Sequence, residues 1–112
     1  KSVIEEIKKA KLDDPFPLKY TNSRAGVKFI SKEFFLRDYE SNAIWTHMGP
    51  LYIKLVQQVN PELASNYKYF YKDIIEKNKN YLEVFFPDEK KYKTLFYHTD
   101  QGMLWAANYL TL

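Results

Sequence analysis

Apolar residues recur with a helical period over most of the first 78 positions of this chain and in short, dense runs after them. SVIEEIKKAKL places Val3, Ile4, Ile7 and Ala10 at helical spacing behind Ser2, with Glu5 three residues on. That is the signature of a capping box, and it predicts a helix over 2–12. Pro15 and Pro17 stop it, because they withdraw amide donors and hold their neighbours extended. LKYT and VKFI then flank a polar turn ending in Gly26, the pattern of a hairpin. Ser31 is placed to cap a short helix, KEFFLRDYE, in which Phe35, Leu36 and Tyr39 share one arc and Phe34 points away from it.

SNAIWTHMG is the least periodic stretch, so Trp45, His47 and Met48 are expected on a connection. Pro50 suits a first helical position, and in PLYIKLVQQV the residues Leu51, Leu55, Val56 and Val59 spread over a wide arc beside Tyr52 and Ile53. A mostly buried helix is expected there. Asn60-Pro61 ends it and caps the next, over 61–77, where Leu63, Tyr67, Phe70 and Ile74 form one stripe flanked by Ala64, Tyr71 and Ile75. Beyond NKN come YLEVFF, YKTLFYHT and MLWAANYLTL, separated by PDEKK and DQG. Their aromatic and branched content predicts a three-stranded antiparallel meander, although the two Ala and two Leu of MLWAANYL leave a helix open for 103–111. The expected fold class is therefore α+β in a single domain over 1–112: N-terminal helix and short hairpin, central helices, C-terminal meander.

Composition narrows what such a fold could do. The 112 residues contain no cysteine, which excludes disulfides and thiolate metal sites and fits the cytoplasm or another reducing compartment. The apolar runs MLWAA and VFF are far too short to span a bilayer, so no membrane role is expected, and no charged-then-apolar leader opens the chain. The net charge of +3 sits entirely in residues 1–60, which hold ten Lys and Arg against seven Asp and Glu. Residues 61–112 balance at seven against seven, and the interleaved IEEIKKAK and FPDEKKYK gather no basic face. Aromatics reach 18% of the chain, ten Tyr, eight Phe and two Trp, more than the centre of so small a domain is expected to hold.

Catalytic chemistry has little to stand on. FYHTDQGMLW resembles the segment that carries the second catalytic carboxylate in the DDE family of transposases and integrases. That resemblance implies Asp38 and Asp100 as ligands for paired metal ions. Asp38, however, lies in a helical pattern instead of an apolar strand, and no third carboxylate follows Asp100. The local chemistry of Thr99-Asp100-Gln101-Gly102 predicts a type I turn with Gly102 left-handed, so Asp100 is read as bending the chain. His98 and Asp100 lack a third donor at metal spacing, and three glycines make neither a nucleophile elbow nor a phosphate loop. No catalytic residue, metal or cofactor is assigned.

Two binding functions are left. Helix, hairpin, three helices and a strand–PDEKK–strand unit resemble a winged helix, which implies DNA or RNA binding with residues 61–77 in the major groove, Lys68 and Lys72 facing it, and Lys90, Lys91 and Lys93 on the wing. The same helix face carries Glu62, Asp73 and Glu76 around Tyr69, a mixture that repels phosphate as well as attracting it. The preferred expectation is a small non-catalytic protein-binding module: an inhibitor, adaptor or assembly subunit, or a homo-oligomer. Phe34, Trp45 and Tyr69 fall off the predicted core stripes, and with Lys72 they are the expected partner contacts.

Overall fold

The computed structural model describes residues 2–22 and 35–112, and among these the chain forms four helices and one two-stranded sheet. Helix α1 spans Val3–Lys9, with the capping box formed as read: Ile4 N–H donates to Ser2 Oγ at 3.3 Å and Ser2 N–H to Glu5 Oε2 at 3.1 Å. It is shorter than expected because Lys11 adopts φ 53°, a left-handed turn that ends the helix before the prolines are reached.

The centre of the molecule is a helical hairpin, α2 (Gly49–Val59) and α3 (Pro61–Asn78). Asn60 serves both: its N–H donates to Val56 O at 2.7 Å, and its side chain accepts from Leu63 N–H at 3.0 Å. One residue thus closes one helix and opens the next, with Pro61 supplying a preset φ to the new first turn. Tyr52, Ile53 and Val56 of α2 pack into one core with Ala64, Tyr67, Tyr71 and Ile74 of α3.

Tyrosine hydroxyls then fasten the turns and bends of residues 13–17 to this hairpin. Tyr52 and Tyr67 donate to Asp13 Oδ2 at 3.1 and 2.6 Å, and Tyr71 donates to Pro17 O at 2.6 Å. Gly49 makes the last contact possible, since a Cβ there would collide with Tyr71 Oη and lie 2.5 Å from Pro17 O. These bonds let much of the aromatic load enter the interior, while Tyr20, Phe35, Tyr69 and Phe96 stay exposed, in line with the expectation that the centre cannot hold every ring. Tyr52, Tyr67, Tyr71, Tyr81 and Tyr92 are all buried, because each phenol finds an acceptor and can leave water without an orphaned hydroxyl.

The predicted C-terminal meander is absent. Strand β2 (Val84–Phe85) pairs antiparallel with β1 (Ile44–Trp45), inside the stretch read as a mere connection, in the register Ile44↔Phe85 and Trp45↔Val84. Of the expected pairing within 81–99 only single bridges exist, Phe85↔Lys91 and Lys93↔His98. Thr94 breaks that run: its hydroxyl accepts from Phe96 and Tyr97 N–H at 3.3 and 3.0 Å, turning the chain and leaving Leu95 and Phe96 at an exposed tip. The third expected strand is helix α4, Met103–Leu110. Ala, Leu and Met favour helix intrinsically, and Trp105, Ala106 and Tyr109 lie along one side of it against the core, which settles the ambiguity of MLWAANYL.

Two further expectations change. Of the hairpin read over 18–30, residues 23–30 lie outside the described residues, and Lys19 instead bridges Ile44 of β1. Of the short helix read in 32–40, residues 32–34 lie outside them too, and beyond Phe35 the chain makes turns, with Asp38 at φ 69°.

Candidate functional site

The predicted site residues scatter. Phe34 lies outside the described residues. Trp45 is only 7% exposed, with its indole N–H donating to Tyr39 O at 2.9 Å, so it is an interior side chain and offers a partner no surface. Tyr69 stands on the outer face of α3 at 73% exposure. Around it Lys72 pairs with Glu76 at 3.8 Å and Lys77 with Asp73 at 2.6 Å.

The lysines expected at a nucleic-acid surface are largely engaged. Lys68 donates to Gln57 Oε1 at 2.9 Å and to Leu112 O at 2.6 Å, fastening the chain beyond α4 to the helical hairpin. Lys90 is held by Asp88 at 2.6 Å. Lys91 and Lys93 are exposed on the irregular stretch opposite Phe85 and His98. A hollow of about 550 Å³ beside Lys90 is lined by Arg37, Asp38, Asn42, Phe86, Pro87 and Asp88, and its cations face carboxylates of the same wall, with Arg37 3.4 Å from Asp38.

Two features stand apart. The first is a second apolar face on α2. The sequence places Leu51, Leu55 and Val59 in the same buried arc as Val56, but they are 45, 49 and 69% exposed, while Tyr52, Ile53 and Val56 turn inward. The exposed three recur every fourth residue, one above another on the helix surface. Lys54 is the sole charged residue of the helix.

The second is a cleft of about 380 Å³ at the start of α4, lined by Glu83, Asp100, Gln101, Gly102, Leu104 and Trp105. It is built by an antiparallel bridge, Leu82↔Gln101, with Glu83 N–H donating to Asp100 O at 3.1 Å. Glu83 and Asp100 thus stand on facing segments, both line the cleft, and the charge of Asp100 is felt at Glu83. Asp100 therefore does not bend the chain as the sequence reading has it: it lies in this paired segment, and Gly102, at φ −80°, caps α4 instead of entering the left-handed region. No cluster of three or more metal-ligating side chains occurs among the described residues.

Electrostatics single the cleft out further. Burial raises the Glu83 carboxyl above its ordinary value; the Tyr97 hydroxyl, hydrogen-bonded to it, pulls it down, and Asp100 pushes it up again. Tyr97 is pushed up in turn, chiefly by burial. Among the described residues no lysine or arginine pairs with Glu83 or Asp100. Behind the cleft the His47 ring packs 5.0 Å from Trp105, and burial lowers its pKa from 6.5, which leaves it neutral at pH 7. Pairing register and this lack of a counter-charge are long-range facts, which is why sequence reading missed Glu83; only the misjudged DQG segment pointed to the area.

Comparison with protein-family models, with curated proteins and with solved structures returned no match to this chain. No helix among the described residues is long and apolar enough to cross a membrane.

Proposed function

We propose that this chain is a non-catalytic protein-binding module, an inhibitor, adaptor or assembly subunit whose partner is another protein or a second copy of itself. The observation that carries the reading is the outward stripe of Leu51, Leu55 and Val59 on α2, a helix whose opposite side already fills the core. An aliphatic row left in water beside neutral Gln57 and Gln58 gains free energy whenever a partner covers it, at about 25 cal/mol per Å² of apolar surface removed. Tyr69 adds a large exposed ring in a setting of paired charges, the kind of anchor that interface energetics favour. Nucleic-acid binding ranks second, because Lys68, Lys72 and Lys90 already meet acceptors or carboxylates of their own.

Light scattering over a range of concentrations, joined to capture of partners from nuclease-treated lysate, tests the reading. A larger assembly that is lost in Leu55→Glu, with the far-UV spectrum unchanged, is the expected result. A chain that stays monomeric, captures nothing dependent on Leu55 or Tyr69, and holds duplex DNA with steep salt dependence would transfer the function to the alternative.

A further inference from the structure

The cleft at the start of α4 has the composition of a receptor for a basic side chain. Two like charges on facing segments repel, and here one of the two, Glu83, is half-buried. In the hollow beside Lys90, by contrast, carboxylates have cations in the same wall. At Glu83 and Asp100 no cation stands among the described residues of the wall, and next to them are the indole of Trp105 and the side chain of Leu104.

We propose that this cleft accepts an arginine side chain presented by the partner protein, its guanidinium bridging Glu83 and Asp100 and lying against Trp105. A guanidinium suits the site better than an ammonium. It is planar, forks to two oxygen acceptors at once, stacks on aromatic faces and is less strongly hydrated, so it loses less on entering a half-buried cleft. The inference rests on the protein-binding reading and adds to it the chemistry of one contact, away from the residues that carry that reading.

Nuclear magnetic resonance of the whole chain supplies the test, because its two indole N–H signals separate site from control. Trp105 lines the cleft, whereas the Trp45 N–H is bonded to Tyr39 O in the interior. On titration with acetyl-arginine amide, the Trp105 signal moves with saturation and the Trp45 signal stays. Neutral acetyl-citrulline amide at equal concentration moves neither. Glu83→Gln combined with Asp100→Asn weakens the arginine response on the order of tenfold or more, with the remaining spectrum preserved. A Trp105 signal that ignores arginine, answers citrulline equally, persists in the double variant, or responds to calcium chloride but not to arginine overturns the proposal. If the titration succeeds while Leu55→Glu leaves association unchanged, the α2 interface is wrong and the cleft stands. The opposite pair of results removes the cleft alone.

Discussion

Around Asp13 one buried carboxylate meets two phenols; around Glu83 two carboxylates meet each other. The first arrangement belongs to the helical hairpin and the strap before β1, where Tyr52, Tyr67 and Tyr71 find acceptors as they leave water. The second belongs to the irregular half around β2 and the start of α4, where no described residue of the cleft wall carries a balancing positive charge. A hydrogen-bonded, tightly packed region is what a scaffold needs. Local repulsion at a solvent-open cleft costs stability that a bound cation would return, and such costs tend to collect at functional positions.

The contrast breaks most easily at Gly49. Gly49→Ala places a methyl where Tyr71 Oη and Pro17 O already stand, so it should destabilise the fold by about 3 kcal/mol or more, read as a fall in the urea midpoint. Tolerance of alanine there would mean that the strap is not seated on the hairpin. Asp13→Ala comes next, because it strips two buried phenols of their acceptor; a loss of about 2–3 kcal/mol is expected. Adding Tyr52→Phe and Tyr67→Phe should recover part of it.

Surface changes sharpen the comparison from the other side. Tyr69→Ala should shift stability by less than about 0.5 kcal/mol while weakening partner binding by about 1–2 kcal/mol, measured by calorimetry on the captured complex. The pH response should be smaller and of two signs. His47 has a lowered folded pKa, so stability is fully present above 6.5 and declines as pH falls from there through its folded value. Glu83 has a raised one, so the folded state gains on protonation, and stability recovers as pH falls through that value. His47→Gln should flatten the first slope and leave the second.

Legibility followed the range of the forces involved. The capping box at Ser2 and Glu5, the Asn60-Pro61 junction and the α3 stripe through Tyr67 and Ile74 are local, and the structure has each of them. On α2 both flanks of the helix are aliphatic, so periodicity could not say which one faced in; Tyr52, Ile53 and Val56 took the core and Leu51, Leu55 and Val59 the surface. In 81–102, aromatic and branched residues suggested long strands. Thr94 turns that run, and β2 pairs with β1, some 40 residues earlier, which no window of neighbours reveals. Trp45 was misjudged for the same reason, since β1 carries it inside. Asp100 reads as a turn residue because Asp-Gln-Gly is common in turns; its place is set instead by the distant Glu83, whose N–H donates to Asp100 O.

The central contrast, saturated scaffold against uncompensated cleft, can be tested in one measurement: the urea midpoint of Glu83→Gln against the parent chain at pH 7. Glutamine keeps the shape and removes the charge that burial and Asp100 oppose, so the variant should be the more stable by up to about 1 kcal/mol, a margin limited by solvent screening. A less stable variant would mean that the Glu83 charge is already compensated within the chain, and the cleft would then have no need of a cation from outside.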